Sequence, residues 1–421
     1  MTLKIRLLAG IPILFALIFA FIWLHFILDT MPAGFYSGDD INFFSPLISE
    51  FAATGDLSLL FEPQGPHMHL FYKLQTYLSM NYFGWNPHLT PALGLLLLLG
   101  LAWTFSLRKI NMTDNFVGKK ESFRVYLFWM IANLGFVCVI LGHLNQRSFS
   151  YHMLSLNNPV LIGLGAVCLY KFAKLLNNPG HWQFVTLGVF SFASLLFIWG
   201  LSTAFNYFLL AALAFMAFII AGPTFVKALI NVIFRHQKPY GIVNWLRDYR
   251  SAMVGGCLFT FLTLLYYVIV SGAGGNTGLS LSSISPSFIL DISYASAGWV
   301  FLTGKYAIAA KSIVTLVFAL AVSLIIFFTR RISRNDKLFF TGVIVFILFF
   351  GLGTVMLRGN NAILLPRYVA VFGLFWIAAT WALGRVSIEK LHKIKTTTLH
   401  IKTGACYLIN TLTWLLLPAL G

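Results

Sequence analysis

Two carboxylates stand side by side in Ser37-Gly38-Asp39-Asp40, shortly after a long apolar run from Leu7 to Leu28. Adjacent acids repel each other and gain nothing from lipid, so the pair points to a helix cap, a bound cation or proton chemistry. One of them can act as general base toward an acceptor hydroxyl while its neighbour raises its pKa or orients it. Capping a helix that begins near Ile41 would need only one acid. The doubling is what favours chemistry for Asp39 or Asp40.

A second cluster follows in the same loop: Glu62, then His67-Met68-His69, then Lys73. On an extended segment His67 and His69 share a face and could hydrogen-bond sugar hydroxyls or a phosphate. With Asp39 or Asp40 they could hold a divalent metal. No cofactor is otherwise expected. The bland alternative is a set of histidines and a lysine at the lipid headgroup level. A third group is basic. Arg147, Lys305, Arg358 and Arg367, the last in Pro366-Arg367-Tyr368, fall on the side of the membrane where basic residues are scarce. Arginine gives permanently charged, bidentate contact to phosphate. Arg358 and Arg367, on either side of Gly359-Asn360-Asn361, could therefore clamp one beside Tyr368. Ordinary anionic lipid, or an ion pair with an outer acid, is the plainer reading.

These residues need a membrane to position them. Of the 421 residues 59% are hydrophobic and 10% charged, well below the ~25% charge of a soluble domain. The net charge of +17 does not indicate nucleic acid, because Lys and Arg collect in short segments between apolar runs. The spans predicted from hydropathy lie near 7–28, 90–107, 124–142, 155–172, 183–200, 204–222, 251–271, 306–329, 338–357, 367–384 and 404–420, about eleven in all, each close to the length a helix needs to cross ~30 Å of hydrocarbon. The expected fold is thus all-α and polytopic, a single multispan domain over 1–421. The first run, with Lys4 and Arg6 before it, reads as a retained signal anchor. The four cysteines show no disulfide or metal spacing.

With the N-terminus in the cytoplasm, 23 of the 29 basic residues fall on cytoplasmic segments, as the positive-inside rule requires. The six exceptions are Lys73, Arg147, Lys305, Lys311, Arg358 and Arg367, and seven of the twelve acids fall outside. The C-terminus then ends in the periplasm. Residues 66–83 are apolar enough to tempt a further span, but counting one there would invert every later charge. They are expected to form an amphipathic or partly embedded helix on the outer surface. Residues 29–89 become a long first periplasmic loop, with a helix expected from the spacing of Ile41, Phe44, Leu47-Ile48 and Phe51. Residues 272–305 form a second periplasmic loop, Gly- and Ser-rich.

No P-loop, dinucleotide fingerprint, HExxH or serine-hydrolase elbow is present. No acid falls in the middle of a predicted span, where transporters and proton pumps need one. A multispan chain with an acid pair early in a long first outer loop resembles the GT-C class of membrane glycosyltransferases. More narrowly it is similar to the O-antigen-modifying, serotype-converting glucosyltransferases of enteric bacteria and their phages. The likeness rests on Gly38-Asp39-Asp40, the His67/His69 segment and Arg358 to Tyr368. It implies an enzyme of the bacterial inner membrane that moves a sugar, glucose in the narrower family, from a polyprenyl-phosphate donor to a polysaccharide or lipid-linked acceptor of the lipopolysaccharide. In it Asp39 or Asp40 is the base and Arg367, with other outer basics, holds the departing phosphate. The partners implied are donor, acceptor and membrane lipid. The large soluble C-terminal domain of many GT-C proteins has no counterpart here. Two rivals were weighed. An O-antigen polymerase or ligase would want basic residues and histidine in a large late outer loop, and 272–305 is poor in both. A lipid-linked-sugar flippase or other transporter would want polar residues lining the bundle, and the spans offer little beyond His25, Asn133 and Asn206.

Overall fold

A computed structural model describes residues 53–63, 68–84, 152–200, 203–235, 240–271, 287–296, 305–330, 332–358 and most of 371–382, with single positions at 18, 21, 49, 50 and 93. All regular structure among the described residues is helical: a 3-10 turn Leu57–Phe61, then α1 (Leu70–Tyr82), α2 (His152–Asn177), α3 (Phe184–Gly200), α4 (Thr203–Arg235), α5 (Tyr240–Ser271), α6 (Phe288–Ser296), α7 (Lys305–Phe328) and α8 (Arg334–Arg358). A further helical stretch lies within 371–382. In hydrocarbon a helix satisfies its own backbone hydrogen bonds, which is why long apolar segments adopt it. Four stretches are long and apolar enough to cross a membrane: Val160–Asn177, Phe205–Arg235, Tyr240–Val270 and Arg334–Met356. Phe184–Gly200 and Ser312–Phe328 are shorter apolar helices.

Six of the spans predicted from hydropathy coincide, to within a residue or two, with α2, α3, α4, α5, α7 and α8 or lie inside them. The predicted spans at 7–28, 90–107, 124–142 and 404–420 lie outside the described residues, apart from single positions. One difference is plain. The basic segment 223–250 was expected as a connection, yet α4 runs on through Pro223 to Arg235 and α5 already begins at Tyr240. Apolar positions recur at helical spacing on both helix ends (Val226, Ile230, Ile233, Phe234; Tyr240, Val243), so charge alone does not end either helix.

The core is aromatic and tightly packed. Phe350 meets Phe205 with ring centroids 5.3 Å apart and Phe372 at 5.5 Å, tying α8 to α4 and to the 371–382 stretch. Tyr170 of α2 takes Phe339 and Trp381 edge-on, each at 5.6 Å. Such pairs add about 0.5–1.5 kcal/mol each beyond area burial.

The connections gather at two ends. At one, the α2–α3 turn lies against α5: Gly180 N donates to Asp248 O at 2.9 Å and Ser251 Oγ to His181 O at 3.3 Å. The same end holds Asp336 at the start of α8, with Trp381 Nε1 donating to its carboxylate at 3.3 Å. Here lie Lys174, Arg250, Arg334 and Lys337, so this is the basic end. At the opposite end Met68 bonds to Tyr266 near the close of α5, Phe71 of α1 packs on Gly200, and Ile292 of α6 packs on Gly351. The two sets of connections that the charge pattern assigns to opposite membrane faces thus sit at opposite ends of the bundle.

Candidate functional site

The described part of the first loop lies on the non-basic end, and its order comes from local capping. Asp56 precedes the 3-10 turn and its side chain accepts from Ser58 N at 2.8 Å. The hydrogen bonds from Ser58 hold the Asp56 carboxyl below the usual range. Gly55 before it has φ +70°, a left-handed turn that glycine adopts without strain. Glu62 closes the turn, its N–H donating to Leu59 O at 3.3 Å, and Leu60 is the turn's buried anchor. The Glu62 carboxylate itself is exposed.

The chain then enters the bundle. Met68 is buried, and its backbone N–H donates to the Tyr266 hydroxyl at 3.0 Å, joining the loop to α5 across 198 residues of sequence. His69 follows, buried, with φ +50°. A non-glycine residue there is strained, and strain of this kind gathers where surrounding structure enforces it. Its carbonyl accepts from Lys73 N at 3.0 Å, the first helical bond of α1. Lys73, fully buried, turns back and its Nζ donates to the Glu62 carbonyl. Burial drives its pKa down to about 8, against a smaller opposing pull from the Glu62 carboxylate. The Lys73 pKa thus lies closer to neutral pH than that of a free lysine.

α1 is an inverted amphipathic helix. Tyr72, Lys73 and Gln75 face the protein, while Leu74, Leu78 and Tyr82 are exposed. Its 13 residues make about 20 Å of helix, too short to cross ~30 Å of hydrocarbon. Polar groups toward the bundle and leucines outward suit a helix lying in the lipid interface, as the 66–83 segment was expected to do. Phe71 locks α1 onto α3, because Gly200 offers no side chain where the ring sits. Next to Gly200, Trp199 crosses Tyr266 edge-on at 6.2 Å. Its indole N–H is buried without a hydrogen-bond partner among the described residues, as is the Asn206 Oδ1 near the start of α4.

Of the residues singled out in the sequence, Glu62 and His69 both meet Lys73 through their backbone carbonyls, Glu62 accepting from its Nζ and His69 from its N–H. Lys305 opens α7 and Arg358 ends α8, both at this same end of the bundle, with side chains outside the described part. Asp39, Asp40, His67, Arg147, Arg367 and Tyr368 lie outside the described residues. Among the described residues no group of three His, Cys, Asp or Glu side chains could hold a metal ion. Sequence reasoning treated Lys73 as a member of a surface cluster and missed Tyr266 and Trp199. The available signal for Lys73 was a lone charge inside an otherwise apolar stretch, 66–83.

The chain matches no protein-family model, no curated protein and no solved structure.

Proposed function

We propose that this chain is a GT-C-like glycosyltransferase of the bacterial inner membrane, with about eleven spans, each near the ~20 residues needed to cross, and with its non-basic end toward the periplasm. It transfers a sugar from a polyprenyl-phosphate donor to a surface-polysaccharide acceptor. The observation that carries this reading is the buried Lys73 beside the buried, positive-φ His69 at the non-basic end, its ammonium held on the Glu62 backbone carbonyl. It anchors the loop that also bears Asp39 and Asp40. A buried lysine next to a histidine of positive φ at the membrane interface suits chemistry on a lipid-linked substrate better than simple anchoring does.

In the reaction the acceptor hydroxyl oxygen attacks the anomeric carbon of the donor. The bond from that carbon to the phosphate oxygen breaks, and its electron pair leaves with the polyprenyl phosphate. The hydroxyl proton passes to Asp39 or Asp40, Asp39 being favoured because Asp40 is nearer the following helix. Arg367, with Arg358, Arg147 and Lys305, is assigned to the departing phosphate; Glu62, His67, His69 and Tyr368 are assigned to the sugars. A reaction on this face has no nucleotide pool to draw on, which agrees with the missing nucleotide motifs.

The test is structural analysis of lipopolysaccharide from cells with the wild-type chain, Asp39→Asn, Asp40→Asn and no chain. Asparagine keeps size and capping ability but cannot take the proton. One variant should lose about a hundredfold to ten-thousandfold in transfer rate and the other should stay near wild type. Wild-type sugar content in both variants, or no difference between cells with and without the chain, refutes the reading. Reporters fused after Asn276 and after Lys238 should read periplasmic and cytoplasmic; the reverse pair refutes the orientation.

A further inference from the structure

α4 and α5 outrun the hydrocarbon. They have 33 and 32 residues, about 50 Å of helix each, against ~30 Å of hydrocarbon and ~40–45 Å of bilayer with headgroups. Neither carries a charge over 203–226 or 251–271. Every charge on them falls in the remaining stretch at the basic end: Lys227, Arg235, Arg247, Asp248 and Arg250. At the ~20° tilt common for spanning helices, such a helix reaches from one headgroup layer fully into the other. The charged stretch then lies among headgroups at the basic end.

This stretch is a helical hairpin closed by its own side chains. Gly241 lies against Ala228, Phe225 and Trp245 have ring centroids 4.8 Å apart, and Trp245 Nε1 donates to Ala221 O at 2.9 Å. Arg250 is used internally as well: it lies over the Trp182 ring at 4.7 Å and donates to Gly180 O. What these helix ends turn outward is not covered by any other described residue. Val226, Ile230, Ile233, Phe234, Tyr240 and Val243 are exposed, Phe234 by 75% and Tyr240 by 66%. Lys227, Arg235 and Arg247 are exposed among them and make no ion pair with any described residue.

We infer that the paired helix ends 223–235 and 240–250 form a docking surface for anionic phospholipid headgroups. Unpaired cations interleaved with large apolar side chains, on helices continuous with membrane spans, match the chemistry of an acidic lipid interface. A protein partner would instead favour an apolar centre depleted of lysine. The inference is independent of the proposed catalytic activity.

The experiment uses the full chain in nanodiscs of phosphatidylcholine alone or with added phosphatidylglycerol, and follows amide hydrogen exchange over 223–250. Phosphatidylglycerol should slow exchange there in the wild type, and rising ionic strength should abolish the effect. Lys227→Gln/Arg235→Gln/Arg247→Gln should lose it, with about a fivefold drop in phosphatidylglycerol preference per charge removed. Arg235→Lys/Arg247→Lys should retain it, because charge and not fork geometry is at work, and this variant guards against a Gln variant that fails to insert. The inference is overturned by equal exchange in the two lipids or by a Gln variant that responds like wild type. It is also overturned by protection from soluble polyglutamate equal to that from the acidic lipid, or by protection in phosphatidylcholine that appears only with two copies per disc.

Discussion

The Nζ of Lys73 donates to the backbone carbonyl of Glu62, eleven residues earlier, and so ties the 3-10 turn Leu57–Phe61 to the first turn of α1. With Lys73 fully buried, this one contact makes the folded first loop sensitive to protonation. The folded pKa stands at about 8, below the 10.5 of a free lysine. Between those values the unfolded chain holds a proton that the folded chain does not. Stability therefore rises with pH from about 8 to 10.5. Below that window the group is charged in both states and its contribution no longer changes. The unfolding midpoint of the detergent-purified protein should rise across the window relative to Lys73→Met. That variant keeps most of the stem's packing, and its own stability at neutral pH should lie within about 1 kcal/mol of wild type, since a lost hydrogen bond offsets a lost buried charge. A slope unchanged in Lys73→Met assigns the titration to another group.

His69 separates backbone from side-chain demands. Its φ of +50° suits Gly or Asn and disfavours β-branched residues. His69→Asn and His69→Gly should fold with wild-type yield, while His69→Val should cost about 1–3 kcal/mol and lower the melting temperature. If His69→Asn retains its fold but loses sugar transfer, the imidazole contacts substrate. Full transfer by His69→Asn and His69→Gly reduces the position to a turn.

The sequence made the helices legible because hydropathy and charge alternate on the scale of a span, and α2 to α5, α7 and α8 fall where that alternation puts them. It did not make the ends of α4 and α5 legible. A run of basic residues marks where hydrocarbon stops, not where a helix stops. The site was legible only as a list. Glu62, His69 and Lys73 stood out as charged or titratable residues in an apolar setting. The burial of Lys73 could not be read, because α1 turns Lys73 and Gln75 to the protein and Leu74 and Leu78 to the surroundings, the reverse of a soluble surface helix. Tyr266 and Trp199 were hidden for another reason. They are aromatic residues within apolar segments, and only the fold brings them beside a loop far away in sequence, 198 residues for the Met68–Tyr266 bond.

Asp336 does at the basic end what no residue was expected to do there. It is fully buried, it accepts from Ser333 Oγ at 2.6 Å and from Trp381 Nε1 at 3.3 Å, and its own N–H donates to Ser333 Oγ at 3.1 Å. Ser333 caps the start of α8 by accepting from the Asp336 N–H, the Asp336 carboxylate holds that hydroxyl, and the tryptophan extends the contact to the 371–382 stretch. Asp336→Ala removes the acceptor of two part-buried donors, the Ser333 hydroxyl and the Trp381 indole, a loss on the order of 1–3 kcal/mol. Asp336→Asn keeps an acceptor for Trp381 and should lose less than half of that. Trp381→Phe should cost about 1 kcal/mol. Thermal unfolding of the three variants in one detergent checks the order; equal midpoints for Asp336→Ala and wild type would remove Asp336 from the structural frame.

Gly200 and Phe71 set where α1 lies, and with it the Glu62–Lys73 knot. A methyl group on residue 200 would overlap the Phe71 ring, and that ring is held between α1 and the end of α3. Gly200→Ala should therefore push α1 off the bundle instead of unfolding the spans, because elsewhere α3 packs through Phe190, Ala193 and Phe197, which it leaves untouched. Overpacking of this kind costs about 1–3 kcal/mol. The displacement should expose Lys73 and return its pKa toward 10.5, which flattens the rise in stability above pH 8 predicted for the wild type. Phe71→Ala alone opens a cavity but leaves α1 free to settle on Gly200, at a cost of about 3–5 kcal/mol if the site cannot collapse. The combination of Gly200→Ala with Phe71→Ala should be less harmful than the sum of the two, since the new methyl occupies space the ring has vacated. The measurement is a double-mutant cycle on the unfolding midpoint at pH 7 and at pH 10. A coupling of about 1 kcal/mol or more at neutral pH, with the pH dependence restored in the double variant, places α1 where the ring contact puts it. Strict additivity, or a Gly200→Ala variant with the wild-type pH slope, would mean that the contact does not position α1.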